Sequence, residues 1–199
     1  MTLPLNETLG DLKRLPALEA IRRVQGLSLE QLAGGGKVLP FGITFRSLKK
    51  LQRRLHESGI PEPGQKHTMC VYVFGPITPT THCPNMEENR ERFLKAALSL
   101  FLLGYWPYCP SVPWFPDPHT YNLWYYLILG MDEQIIRGPA KWLYGVKAAW
   151  TSFGGNFEEG VAYECEKPIF FETKRDKDYF ERKRLEHSSA KTKKLHAVS

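Results

Sequence analysis

The feature that most constrains the fold is a regular alternation of strand-like and helix-like segments that begins at Met69. "MCVYVFGPIT" predicts a buried strand that ends in a tight turn at Gly75 and Pro76. "MEENRERFLKAALSLFLLG" follows with the apolar period of a helix and with Gly104 as its stop. "YWPYCPSVPW" reads as extended but is too rich in proline for a central strand.

The second half of this region continues the same alternation. "YNLWYYLILGMDEQIIRG" predicts a helix, and "KWLYGVKAAW" and "KPIFFE" predict two further strands. Strands that alternate with helices are typical of a parallel sheet covered by helices. The sequence therefore predicts an α/β fold, a three-layer flavodoxin-like or Rossmann-like parallel sheet with helices on both faces.

The charge distribution divides the chain into three parts. Residues 1–68 hold 11 Lys and Arg against 6 Asp and Glu, residues 69–171 hold 7 against 10, and residues 172–199 hold 9 against 5. The basic character thus belongs to the two ends, around a mildly acidic centre. We predict a basic helical region at 1–65, a nucleotide-binding domain at 66–175 and a basic, partly disordered tail at 176–199.

The amino-terminal region has two interpretations. "LSLEQLA" and "TFRSLKKLQRRLHESG" predict a short helix and a basic amphipathic helix that ends at Gly59. In a helix-turn-helix DNA reader, Lys49, Lys50, Arg53 and Arg54 would contact phosphates. In the alternative, the basic helix packs on the main domain and these side chains form its solvated face.

Several classes of protein are not indicated. The chain lacks an apolar run of membrane-spanning length and a signal-peptide pattern, so we expect a cytoplasmic protein without a membrane partner. The four cysteines form no C-x-x-C pair and lack matching histidine spacing, which indicates neither a disulfide framework nor a metal site.

The run "SFGGNFEEGVA" is the best candidate for a binding site. Ser152, Gly154, Gly155 and Asn156 precede a helix and offer backbone N–H groups and a hydroxyl to an anion such as a phosphate. We expect Glu158, in the first turn of that helix, to be kept ionised by the helix dipole and to serve as a nucleophile or a base.

Further candidates lie where strands are predicted to end. Ligands of parallel sheets bind at the carboxyl ends of the strands, which here include Gly75 and Thr78, two further candidates for contact with the phosphate. Tyr108 and Trp114 lie in the proline-held segment and could stack a base. The commoner role of such aromatic residues is in the core. Glu159 is expected to be a carboxylate on the helix surface.

In order along the chain, these segments resemble the nucleoside 2-deoxyribosyltransferase-like superfamily. The resemblance covers residues 69–171 and is nearest to a branch of phage and bacterial proteins. It rests on "VYVFGPIT", the helix that carries Asn89, the "GYWPYCPS" segment, Asp132, Trp150 and "SFGGNFEEGVA". Its most specific part is the pattern S-x-G-x-G-x-E-x-G-x-A, in which Asn156 stands in place of the second glycine.

The resemblance implies roles for individual residues. It places the nucleophile at Glu158, the first-strand tyrosine at Tyr72 and the acidic group that handles the base at Asp132. The serine that helps to hold a 5′-phosphate falls on Ser152. An arginine that some nucleotide hydrolases carry in the first loop is absent from "GPITPTTHCP".

The resulting expectation is an enzyme that cleaves or transfers the N-glycosidic bond of a nucleoside 5′-monophosphate, without a cofactor, in a bacterial or phage-infected cell. Relatives build their sites beside a subunit contact, so a homodimer or larger homo-oligomer is expected. One alternative is a non-catalytic nucleotide-binding protein, a sensor or a sponge. Another is a DNA-associated factor that binds nucleic acid through its basic ends.

Overall fold

The computed structural model describes residues 40–65, 67–77, 79–110 and 121–196. Its four strands are β1 (Cys70–Phe74), β2 (Trp106–Tyr108), β3 (Trp142–Gly145) and β4 (Ile169–Phe171). Its five α-helices are α1 (Phe45–Glu57), α2 (Met86–Leu102), α3 (Tyr121–Arg137), α4 (Phe153–Glu164) and α5 (Lys174–His196). Short 3₁₀ turns cover Pro40–Gly42 and Ala149–Thr151.

The four strands form one parallel sheet in the order β2-β1-β3-β4. This order is that of the first four strands of flavodoxin-like sheets, and the predicted three-layer fold is confirmed. Among the described strands, the proline-containing β2 lies at an edge of the sheet and pairs with β1 alone, as its composition predicted. Strand order reverses between β1 and β3, so a crevice is expected above that pair.

Alternation along β1 separates the two faces of the sheet. Val71 and Val73 pack with α1 and α2, through side chains such as Leu55 and Phe93. Tyr72 points to the other face, which is covered by α3, α4 and α5. Because successive strand residues point to opposite faces, a single apolar strand supplies both cores of a three-layer fold.

Helix α1 packs on the main domain. Thr44 and Ser47 form a capping box at its start, and Leu48 and Leu55 are buried. Arg54 donates hydrogen bonds to the carbonyl oxygens of Phe171 and Glu172 at 3.3 and 2.8 Å. Arg54, one of the four cations that would contact phosphates in a DNA reader, is therefore hydrogen-bonded to the protein's own backbone. The short helix predicted before it lies outside the described residues.

Helix α5 also belongs to the packed structure. The helix runs to His196, and Phe180 is fully buried against Phe74 and Phe171. Asp176, on its first turn, is only 1% exposed. The fold consequently continues past residue 175, where the nucleotide-binding domain was predicted to end. Among the described helices, none has the length and apolar character needed to span a membrane.

Candidate functional site

Four polar side chains meet between the sheet and the helices α3 and α4. Tyr72 and Tyr108 project from the neighbouring strands β1 and β2, and their rings stack with centroids 5.5 Å apart. Asp132 comes from α3 and Glu158 from α4. The structure thus brings together the three residues predicted to be catalytic and one of the two predicted to bind the base.

Tyr72 and Glu158 form the closest contact of this cluster. The tyrosine hydroxyl donates a hydrogen bond of 2.6 Å to Oε1 of Glu158. Tyr72 is fully buried and Glu158 is 5% exposed. A short hydrogen bond to a charged acceptor is stronger than a neutral one, so this contact favours the ionised form of Glu158.

Asp132 interacts with both tyrosines. The Tyr108 hydroxyl donates to Oδ1 of Asp132 at 3.4 Å, and hydrogen bonds from Tyr72 and Tyr108 both lower the pKa of Asp132. Burial outweighs them, because Asp132 is only 2% exposed, and the pKa rises to about 6. Burial and the nearby Asp132 raise the pKa of Tyr108 to about 12.

Glu158 has the larger shift of the two carboxyl groups. Burial, with the charge of Asp132 as the second cause, raises its pKa to about 8, and the hydrogen bond from Tyr72 offsets only part of this. The pKa of Tyr72 also lies well above its usual value, because the ring is buried beside two carboxyl groups. At neutral pH the two carboxyl groups together therefore hold about one proton.

The prediction that the helix dipole keeps Glu158 ionised is wrong. Helix α4 begins at Phe153, so Glu158 is its sixth residue and lies in the second turn. The dipole acts within the first turn, and beyond it burial decides the ionisation. A glutamate that was predicted to stay ionised is instead shifted towards its neutral form.

The glycine-rich segment is the first turn of α4. Ser152 caps the helix, and its Oγ accepts a hydrogen bond from the Gly155 N–H at 3.2 Å. A Cβ on Gly155 would lie 2.6 Å from the carbonyl oxygen of Ala149, so only glycine allows this close approach. Gly154 lies beside it in the same turn. Ser152 and Gly155 therefore have structural roles that hold whether or not an anion binds.

Asn156 links this turn to α5. Its Nδ2 donates to the carbonyl oxygens of Trp150 and Ser152, at 2.9 and 2.8 Å. Its Oδ1 accepts a hydrogen bond of 2.8 Å from Lys183, and the Arg175 guanidinium lies 4.9 Å from the Trp150 ring centroid. Lys183 from α5 therefore contacts a segment whose own sequence contains no cation, and Arg175 packs on the residue Trp150 just before it.

Glu159 was expected to be a carboxylate on the helix surface, but it is buried. It is 3% exposed, and its Oε1 accepts a hydrogen bond of 2.7 Å from Nε of Arg184 on α5. A second guanidinium nitrogen of Arg184 lies 2.5 Å from the same oxygen. Burial of the carboxylate follows from this ion pair, because a buried charge needs a partner.

The first loop, after β1, reaches the 3₁₀ turn that precedes α4. Thr80 and Thr151 share a hydrogen bond of 3.0 Å, and the rings of His82 and Trp150 lie 4.8 Å apart. Nδ2 of Asn89, on α2, donates a 3.1 Å hydrogen bond to the carbonyl oxygen of Cys83 in this loop. The segments that follow β1 and β3 are therefore in direct contact with each other.

Gly75 lies at the start of this loop, with a φ of 149°. A Cβ there would lie 2.4 Å from Cγ2 of Val146, so the glycine is required by the packing of the two strand ends. Thr78 and Trp114, predicted to contact the phosphate and the base, lie outside the described residues. Within the described part of the chain, no group of three or more His, Cys, Asp and Glu side chains is placed to bind a metal ion.

Sequence reasoning missed the contribution of α5 to this region. Its contact residues recur at the spacing of three and four that marks one face of a helix. They are Asp176, Tyr179, Phe180, Lys183 and Arg184. The many charges hid this pattern, because only two of the five are apolar or aromatic.

Comparison with protein-family models, curated proteins and solved structures finds no significant match to this chain. The functional interpretation accordingly depends on the geometry of the site and on the sequence patterns.

Proposed function

We propose that this protein cleaves or transfers the N-glycosidic bond of a nucleoside 5′-monophosphate, with Glu158 as the nucleophile. The observation that carries the proposal is the buried contact between Tyr72 and Glu158, with Asp132 beside it. Two carboxyl groups that share one proton provide a nucleophile and an acid in one site. The resemblance to the nucleoside 2-deoxyribosyltransferase-like superfamily supports the same assignment.

The first chemical step forms a glycosyl intermediate. An ionised oxygen of Glu158 attacks C1′ of the sugar, and the bond from C1′ to the base nitrogen breaks. The electron pair of that bond goes to the base, which takes a proton from Asp132. The Tyr72 hydroxyl donates to the glutamate in the resting site and so holds its carboxyl group in place for attack.

The second step restores both carboxyl groups. A water molecule attacks C1′, its proton goes to the Asp132 carboxylate, and the bond between C1′ and Glu158 breaks. The products are a free base and a sugar 5-phosphate. When a second base replaces water as the acceptor, the same step transfers the sugar.

The protonation state defines what the site must do before it reacts. Burial raises the pKa of both carboxyl groups, and the pair shares about one proton at neutral pH. Reaction requires that proton on Asp132. The Tyr72 hydroxyl interacts with both carboxyl groups, which places it between the two proton positions.

The phosphate of the substrate would lie at the start of α4. The positive end of the α4 dipole favours an anion there, Lys183 from α5 contacts Asn156 in the same turn, and Arg175 lies against Trp150 just before it. Tyr108, which borders the carboxyl groups, is placed to contact the base. We expect a homo-oligomer, and light scattering that shows only a 22.9 kDa species would contradict this.

A mass-spectrometric assay tests the proposed reaction. The full chain is incubated with each common nucleoside 5′-monophosphate, and the free base and sugar phosphate are quantified. Glu158→Gln keeps the size of the side chain but removes the attacking charge, so we expect turnover to fall by about 10³-fold or more. Glu164→Gln is the matched control, because Glu164 lies on the same helix with its side chain 65% exposed.

Trapping the intermediate gives a direct test of the nucleophile. The wild-type protein is expected to gain the mass of a sugar phosphate during turnover, and E158Q is expected to gain none. Wild-type turnover by E158Q would exclude the glutamate as nucleophile.

The raised pKa of Glu158 favours one second candidate, a nucleotide-binding protein without catalysis. A carboxyl group with a pKa of about 8 is mostly neutral at pH 7, and a neutral carboxylic acid is a weak nucleophile. Tight binding of a nucleotide by calorimetry, without release of base over many hours, would support this candidate over the enzyme.

A further inference from the structure

The contacts of α5 converge on one short segment of the chain. Asp176 accepts hydrogen bonds from the backbone N–H groups of Ala148 and Trp150, at 3.2 and 3.5 Å. This carboxylate therefore fixes the turn that leads into α4. The indole of Trp150 in addition packs against the Tyr179 ring, with centroids 5.3 Å apart.

Two further contacts hold α4 itself. Lys183 donates to Asn156 in the first turn, and Arg184 pairs with Glu159 in the second. The contacts run in the same order along both helices, so α5 holds the start of α4 at successive levels. The Arg184 guanidinium also lies 4.8 Å from the ring centroid of Tyr163, one turn further along α4.

The two adjacent glutamates of α4 point in different directions. Successive residues of an α-helix are rotated by about 100° around its axis, because a turn holds about 3.6 residues. Glu158 therefore faces Tyr72 and the site while Glu159 faces Arg184. A rotation of α4 that releases Glu159 from Arg184 also moves Glu158 away from Tyr72.

We infer that Arg184 is a positioning residue, which acts through Glu159 to set the rotation of α4 and so holds Glu158 against Tyr72. The Glu159 carboxylate is buried and the Arg184 side chain is 28% exposed, so the pair fixes where α4 lies against α5 while the cost of burying the carboxylate limits its net contribution to stability. A positioning role for the reaction rests on the proposed function. The effect on the contact between Tyr72 and Glu158 does not.

The first measurement is independent of any substrate. The hydroxyl proton of a buried tyrosine that donates a 2.6 Å hydrogen bond exchanges slowly and gives a downfield proton NMR signal, which Tyr72→Phe identifies by its loss. We expect Arg184→Met to shift or broaden this signal and Arg184→Lys to retain part of it. Lys177→Met should leave it unchanged, because Lys177 pairs with Glu181 on the exposed side of α5.

The second measurement uses turnover of a nucleoside 5′-monophosphate. A residue that positions the nucleophile affects the chemical step more than binding, so Arg184→Met should lower kcat at least tenfold and change KM by less than about threefold. If wild-type protein releases no base from any nucleotide, the proposed function fails. The tyrosine signal still decides the role of Arg184.

A double variant covers the case in which Arg184→Met does not fold, since that change leaves Glu159 buried without its cation. Glu159→Ala combined with Arg184→Ala removes the anchor and leaves no unpaired charge. It should show the same altered tyrosine signal. A folded R184M or double variant with a wild-type tyrosine signal would overturn the inference.

Discussion

The two faces of the sheet are built from different kinds of side chain. The face covered by α1 and α2 is an apolar cluster that includes Val73, Phe93, Leu100 and Trp142. Among the described residues, every buried carboxyl group lies on the other side, in α3, α4 or α5. The four are Asp132, Glu158, Glu159 and Asp176.

The two faces therefore contribute differently: the first mainly stabilises the fold, and the second holds the carboxyl groups of the proposed site. Apolar burial on the first face stabilises the fold at about 25 cal/mol per Å² and needs no partner for each group. Each buried carboxyl group on the second face costs desolvation energy and needs a specific contact. Glu159 and Asp176 receive such contacts from Arg184 and from backbone N–H groups. Glu158 and Asp132 receive theirs from tyrosine hydroxyls, and burial raises the pKa of both groups.

The largest expected effect concerns Asp132 and the pH dependence of the reaction. Because the reactive form of the pair holds one proton, kcat/KM of the wild type should be bell-shaped, with limbs near the two values of about 6 and about 8. Asp132→Asn removes the acid and should lower kcat/KM by about 10²- to 10⁴-fold.

The pH dependence of kcat/KM in D132N provides a second test of the role of Asp132. Loss of the negative charge of Asp132 lowers the pKa of Glu158, since that charge is one cause of its rise. The bell should become a single limb that rises with pH, with its midpoint below 8. A profile that keeps both limbs would show that Asp132 is not the acid.

The next effect belongs to the apolar face. Phe93 is fully buried in α2, and Phe93→Ala should reduce the free energy of unfolding by about 3–5 kcal/mol, measured by urea denaturation. Because no buried carboxyl group of the site packs on that face, the pH limbs of the folded variant should stay in place. A shift of the limbs by a full pH unit would show that the two faces are coupled.

The apolar face could be predicted from the sequence more fully than the face that carries the buried carboxyl groups. Apolar periodicity predicted the strands, the helices α1 to α3 and the parallel sheet, because burial of apolar residues follows the period of each element. The positions of charged side chains depend on which elements become neighbours. The contact between Tyr72 and Glu158, 86 residues apart, was foreseen only through the resemblance to a family. The contacts of Arg184 and Asp176 were missed.

A smaller effect distinguishes the two adjacent glutamates. The pKa of Glu158 in the folded protein is about 8, above the value of 4.5 for an ordinary glutamate. Between these pH values the folded protein retains a proton that the unfolded chain releases, so this residue makes stability fall as pH rises through that range. Glu158→Gln removes the penalty and should raise the free energy of unfolding by roughly 1–3 kcal/mol at pH 8.5 but little at pH 5.

Glu159→Gln is the matched change at the neighbouring position. It leaves Arg184 without its carboxylate and should lower the free energy of unfolding at pH 8.5, the opposite sign to E158Q. Denaturation curves for both variants at the two pH values give the comparison. Equal signs would mean that the glutamates do not differ in the way that their contacts indicate.

The smallest expected effect concerns the exposed cations of α1, the remaining candidates for DNA contact. Lys49, Lys50 and Arg53 lie on the surface of a helix whose Arg54 is bound to the end of β4. Replacing the three by glutamine should change the free energy of unfolding by less than about 0.5 kcal/mol and leave nucleotide turnover unchanged.

The same variant tests nucleic acid binding, because each phosphate contact contributes about −0.9 to the slope of log K against log salt. If α1 only packs on the domain, wild type and variant will show the same slope for a DNA duplex. A slope about 2.7 units less steep in the variant would mean that all three side chains contact phosphates and that α1 binds DNA as well as packing on the domain.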